Sequence, residues 1–208
     1  MRDFVLGLTV SYLLGAIPTG YLLGKIFKGT DIRRHGSGNM GATNAFRVLG
    51  KSLGTAVLLG DILKGILATT VVADFFHLHD VIPRVILGVI AVIGHNWTIF
   101  LGFKGGKGIA TSLGVLIGLT LSFSGLRLVL GVCVLSWLVI FLLTQYISVA
   151  SMVTGIVLPL MMLITKQSME FILLGLVFCV FILFRHQANL QRLSSGKEPK
   201  VPLPFFQK

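Results

Sequence analysis

Long apolar runs broken by short polar stretches dominate the chain. Seven of them reach or approach the length of about 20 residues that a bilayer-crossing helix needs. They are 4–27, 52–73, 81–101, 109–123, 126–143, 147–164 and 169–185, the fourth being short. This pattern predicts an all-α, polytopic membrane helical bundle of about seven transmembrane helices, forming one integral-membrane domain over 1–208. Within the first run, Gly15-Ala16-Ile17-Pro18-Thr19-Gly20 predicts a kink or interruption, because proline removes a backbone hydrogen bond and glycine admits close backbone approach. The same run lacks a small-residue cleavage site and reads as a retained first helix.

Composition agrees with the bilayer as solvent: 54% of the residues are hydrophobic and 12% charged, and mean hydropathy is +0.92. Cys133 and Cys179 lie inside apolar runs with no His or carboxylate at ligand spacing, so neither a disulfide framework nor a metal site is expected. The distribution of charge sets the orientation. Of the 18 Lys and Arg, thirteen fall in one set of loops and ends and four in the other, with Lys64 inside a span. The richer set is read as cytoplasmic, which puts the N-terminus outside and the C-terminus inside. The net charge of +11 is then largely a topology signal, and no nucleic-acid partner is implied. It leaves unexplained the glycines set among those charges.

Three inside segments, 28–51, 102–112 and 185–198, carry the candidate chemistry. The first contains Arg33-Arg34-His35-Gly36-Ser37-Gly38-Asn39-Met40-Gly41-Ala42-Thr43-Asn44-Ala45-Phe46-Arg47. Its glycines predict N–H groups converging on an anion, with Ser37, Thr43 and Asn44 as neutral donors and Arg47 as a bidentate one. The literal G-x-G-x-x-G at Gly36, Gly38 and Gly41 follows a membrane helix, not a strand, so a dinucleotide fold is excluded. The second reads Gly102-Phe103-Lys104-Gly105-Gly106-Lys107-Gly108 and runs into an apolar helix. Mobile cations and exposed N–H groups at a helix N-terminus favour phosphate. A Walker loop is absent, so ATP is not implied and no cofactor is expected. The third reads Arg185-His186-Gln187-Ala188-Asn189; helical spacing would place Asn189 beside both Arg185 and His186, with His186 either a base or a donor, or simply an anchor of the helix end. The bland alternative for the first loop is a flexible basic segment facing anionic lipid, and for the second a positive-inside turn between two spans. Within the second run, Asp61 and Lys64 at i, i+3 read as a structural pair, and near the end of the third, His95 and Asn96 read as supports of the second loop. The Asn96-Trp97-Thr98 sequon is discounted because it sits in a span.

Taken in order, these segments resemble the bacterial acyl-phosphate:glycerol-3-phosphate acyltransferase family of integral-membrane enzymes. The match runs from Gly15–Gly20 through Gly36-Ser37-Gly38-Asn39-Met40-Gly41-Ala42-Thr43-Asn44, Gly94-His95 and Lys104-Gly105-Gly106-Lys107-Gly108 to Arg185-His186-x-x-Asn189. Two departures are visible, Thr98 for the usual proline and Leu190 for the usual isoleucine. The tail 202–208 carries no family feature. The resemblance implies phospholipid biosynthesis at the inner membrane, with acyl phosphate and glycerol 3-phosphate as substrates and the lipid bilayer as partner. It implies Ser37, Arg47, Lys104, His186 and Asn189 as catalytic. Gly38, Asn39, Thr43, Asn44, Gly105, Gly106, Lys107 and Gly108 are then substrate-binding. The His-x-x-x-x-Asp signature of thioester-using acyltransferases is missing, since His35 is followed five positions on by Met40. Which loop holds which phosphate, and whether His186 or the donor's own phosphate takes the proton, stay open. A transporter of a small phosphorylated anion is the rival, and a CDP-alcohol phosphotransferase fails for want of spaced intramembrane aspartates.

Overall fold

The computed structural model describes residues 1–201; the tail from 202 lies outside the described residues. Among the described residues all regular structure is helical. The elements are α1 Arg2–Ala16, α2 Thr19–Lys28, α3 Ala42–Leu49, α4 Lys51–Leu67 and α5 Ala73–Phe75, then α6 Val81–Asn96, α7 Ile109–Ser122, α8 Arg127–Thr144, α9 Ile147–Ile164, α10 Met169–Arg185 and α11 Gln187–Ser194. A π-helical stretch, Ala68–Val72, joins α4 to α5. Four continuous helical segments are long and apolar enough to cross a membrane, and two further spans result if the bent pairs α1–α2 and α10–α11 each count as one. The remaining apolar helix, α7, has 14 residues, about 21 Å at 1.5 Å per residue, shorter than the hydrocarbon core of about 30 Å. Large side chains such as Leu135, Leu138, Leu143 and Val180 stand exposed on the outer faces, as apolar helices in lipid require.

The chain forms two compact units, Met1–Ser124 and the part from Gly125 onward. In the first, helices approach through glycines instead of interdigitating large side chains. A Cβ on Gly15 would overlap the Ala91 carbonyl of α6, and one on Gly94 would overlap the Tyr12 carbonyl of α1. Gly65 and Gly114 serve the α4–α7 contact in the same way. Between apolar helices in lipid, such backbone proximity supplies the dispersion contacts that hold them. Arg84, one of the four cations assigned outside, is buried; it donates to the Thr69 carbonyl of the π-helical stretch and to the Asp74 carboxylate.

Pro18 breaks the first span as expected: α1 and α2 meet at 42°. The carbonyls that the break releases are satisfied from other helices. Thr98 Oγ1 donates to Ala16 O at 2.6 Å, and Lys64 Nζ donates to Ile17 O at 2.6 Å. Thr98, the departure from the family proline, thus supplies a bond that a proline has no hydroxyl to make.

In the second unit, Trp137 Nε1 of α8 donates to Ser151 Oγ of α9 at 3.2 Å, and α9 packs on α10 around Gly175, Pro159 and Met162. The segment after α11 returns to the α8–α9 turn, where Val201 N donates to Gln145 O at 2.9 Å.

Candidate functional site

The first loop is organised by Asn44, in the first turn of α3. Its Nδ2 lies within hydrogen-bond distance of the carbonyls of Ile32, His35 and Asn39 at 2.9, 3.1 and 2.8 Å. Its Oδ1 accepts from Ser37 N at 2.9 Å. Asn44 is 1% exposed. The side chain expected to bind substrate thus has its amide donors and its acceptor occupied within the loop, where it staples the loop's path. Asn39 Oδ1 is likewise used, accepting from Gly41 N at 2.9 Å. Gly36 and Gly38 have positive φ of 59° and 70°, the left-handed region that the turn requires and glycine adopts without strain. Ser37, Thr43 and Arg47 are left exposed around this frame. Thr43 and Arg47 are one turn apart on α3, and the Arg47 Cδ passes 3.4 Å from where a Cβ on Gly36 would stand.

The second loop is bound to the end of α6. Gly105 N donates to Asn96 O at 3.1 Å and Gly106 N to His95 O at 3.0 Å. The two N–H groups expected to meet an anion are thus bonded to carbonyls at the end of α6. The physical reason for the two glycines is steric. A Cβ on Gly105 would overlap the His95 carbonyl, and one on Gly106 would overlap the His95 ring at Nε2. The loop delivers instead the Lys104 and Lys107 side chains and the first turn of α7. There Gly108 turns with φ 80°, beside the buried Asn96 side chain, whose amide has no hydrogen-bond partner among the described residues.

The two loops face one cavity of about 330 Å³, lined by Arg33, Arg34, Gly38, Lys104, Gly105, Asp31 and Met40. Arg33 and Asp31 form a two-point pair at 3.0 and 2.8 Å, and the Arg33 guanidinium sits 4.9 Å from the Tyr21 ring centroid. That guanidinium holds the Asp31 carboxyl down at about 2, against an ordinary 3.8. The clasp is therefore complete at any pH above 3.8 and loosens only as pH falls toward 2. Three cations against one carboxylate leave two net positive charges at the rim, matching a phosphate dianion. Arg33 and Arg34 were not among the residues predicted to bind; in the sequence they are indistinguishable from positive-inside topology signals.

In the second unit, His186 and Asn189 lie together, but not on one continuous helix. The helix breaks at His186, α10 and α11 meeting at 53°, which corrects the continuous i, i+3 and i, i+4 spacing. Asn189 N donates to His186 O at 2.9 Å. His186 Nδ1 is 2.7 Å from Ile182 O; a carbonyl only accepts, so Nδ1 carries the proton. Glu198, which the motif reading passed over, gathers this end: it accepts from Asn189 Nδ2 at 2.6 Å, Ser148 Oγ at 2.7 Å and Arg192 Nε at 2.7 Å. Burial works to raise the Glu198 pKa, but the bonds from Asn189, Ser148 and Arg192 outweigh it, and the carboxyl is lowered overall.

The described residues therefore define an all-helical, multi-pass membrane protein with two glycine-rich loops at a cationic cavity suited to an anion. A sequence model described as glycerol-3-phosphate acyltransferase matches residues 5–196. Among its relatives, the glycerol-3-phosphate acyltransferase of Bacillus subtilis is 44% identical, covering 92% of this chain and 94% of its own. That of Chlorobium limicola is 41% identical, covering 93% and 94%. The solved structure of PlsY (YgiH), an integral membrane glycerol 3-phosphate acyltransferase in its glycerol 3-phosphate form, superposes with a TM-score of 0.87 at 35% identity over 98% of this chain and 99% of its own. Its lysophosphatidic acid form gives 0.84 over 96% and 95%. The chain belongs to the glycerol-3-phosphate acyltransferase family.

Proposed function

We propose that this protein transfers an acyl group from acyl phosphate to the 1-hydroxyl of glycerol 3-phosphate, giving 1-acylglycerol 3-phosphate and inorganic phosphate at the cytoplasmic face of the inner membrane. The observation that carries the reading is the single cavity shared by loops 28–51 and 102–112, with its surplus of positive charge. Relatives solved with glycerol 3-phosphate and with lysophosphatidic acid support the acceptor and the product. The lack of a His-x-x-x-x-Asp motif supports acyl phosphate over a thioester as donor.

In this reading the glycerol phosphate is held by Lys104, Lys107 and the first-turn N–H groups of α7. Ser37, Thr43 and Arg47 hold the acyl-phosphate head. The 1-hydroxyl oxygen forms the new ester bond to the acyl carbon, the bond from that carbon to the phosphate oxygen breaks, and the hydroxyl proton leaves with the phosphate. Ser37 stabilises the oxyanion that develops on the carbonyl. A mixed anhydride already carries a good leaving group, so the donor's phosphate suffices as base and His186 with Asn189 orients substrate.

The test is phosphate release from palmitoyl phosphate by detergent-purified protein. Release should require glycerol 3-phosphate and yield lysophosphatidic acid. Equal turnover of palmitoyl-CoA would overturn the donor assignment. Release of phosphate at the same rate without acceptor would make the protein a hydrolase, and no chemistry at all in detergent would leave the transporter.

A further inference from the structure

Buried beneath the second loop is a polar chain that the reaction itself does not use. Asp61 and Lys64, 2% and 4% exposed, are paired at 2.6 Å. Lys64 also holds Ile17 O at the break of the first span, and Thr19 Oγ1, at the start of α2, donates to the same Asp61 oxygen at 3.0 Å. That oxygen stands 3.7 Å from His95 Nδ1. The far side of the His95 ring, at Nε2, lies against Gly106, and the His95 carbonyl receives the Gly106 N–H at 3.0 Å. One continuous set of contacts therefore runs from the Pro18 break, through Lys64, Asp61 and His95, to the backbone of the glycine loop.

Stability alone is a poor reason for such a chain. Removing two charges from water costs several kcal/mol per ion, and well-packed apolar replacements of a buried pair are often neutral or stabilising. Ionisable groups held within a membrane protein mark function instead. Here the pair has a geometric task. It fixes where α1 ends and α2 begins against α4, and it props the imidazole whose other edge is the floor under Gly106.

We propose that Lys64, Asp61 and His95 are positioning residues for the acyl transfer, setting the height and tilt of loop 102–108 and hence the placement of Lys104 and Lys107 on the substrate phosphate. The inference rests on the reading that this loop holds glycerol 3-phosphate. None of the three touches the reacting atoms; each acts through the next.

The experiment compares His95→Gln, the charge-free pair Asp61→Asn/Lys64→Met, and the cycle of Gly106→Ala with His95→Ala, all in full-length protein with KM measured for each substrate. A displacement of about 1 Å is enough to cost ~100-fold, so His95→Gln is expected to raise KM for glycerol 3-phosphate about tenfold or more, with a smaller change in kcat. Trimming the ring makes room for the added methyl, so Gly106→Ala should do less harm on the His95→Ala background than alone. The proposal is overturned if folded His95→Gln keeps both wild-type KM values, or if the Gly106→Ala and His95→Ala effects are additive. A merely structural role would lower Tm and leave KM unmoved. Should the KM for acyl phosphate rise in place of that for glycerol 3-phosphate, the positioning chain stands and the assignment of the loop to glycerol 3-phosphate falls. If the paired variant does not fold, His95→Gln and the cycle decide alone.

Discussion

Asn44 shows how one amide fixes the path of a loop. Three carbonyls converge on its Nδ2 and one N–H on its Oδ1, so the two substitutions with opposite chemistry should differ. Asn44→Ala leaves buried carbonyls unmet, at about 1–3 kcal/mol for each unsatisfied group. Asn44→Asp is expected to lower Tm further, because a carboxylate faces three acceptors with nothing to donate; a thermal shift assay on the purified variants reads the order. Ser37 is the contrasting case, exposed on the frame that Asn44 holds. Ser37→Ala should leave Tm within error of wild type and reduce turnover by about 100-fold or more. Both residues stand in one glycine-rich motif, and their polarity alone does not separate them. Only burial and bond direction separate the residue bonded into the loop from the one left exposed on it.

At the scale of elements, glycine contacts carry the packing of the first unit. Because a Cβ on Gly114 would run into the Ile62 carbonyl, Gly114→Ala must push α7 away from α4, and overpacking of this kind costs about 1–3 kcal/mol. The loss should appear as a lowered Tm, with residual enzyme of altered KM because α7 begins at the second loop. Glu198 ties α11 to Ser148 of α9, and its lowered pKa fixes the sign of its pH dependence. Its contribution is full above the ordinary value of 4.5 and is lost as pH falls below that value through the lowered one. Wild-type Tm should therefore drop on acidification below pH 4.5 by more than the Tm of Glu198→Gln does, and at pH 7 Glu198→Gln should already be the less stable protein. A neutral amide accepts more weakly from Arg192 and presents an N–H where Ser148 and Asn189 need an acceptor.

For the whole molecule, the gathering of thirteen of 18 cations in one set of loops and ends predicts that this set is cytoplasmic. With Cys133 and Cys179 replaced by alanine, a cysteine at Lys51 should be shielded from a membrane-impermeant maleimide in intact cells. A cysteine at Lys166 should react; the reverse pattern would invert the topology. The apolar runs determined that the chain is helical and multi-pass, because backbone groups in lipid are satisfied chiefly within a helix whose length the bilayer sets; they predicted about seven spans, where the described residues hold four candidate spans, or six if each bent pair is one. They also placed the Pro18 break, since the missing N–H is a local fact. The motif order located the loops that face the cavity. What only the tertiary structure decided is how each polar group is used. The glycine-loop N–H groups bind α6, Asn44 is internal, Arg33 and Arg34 line the cavity, and Asp61, Lys64 and His95 join the helix break to the loop. Every one of these depends on partners distant in sequence, and a hydrogen bond is defined by its partner as much as by its donor.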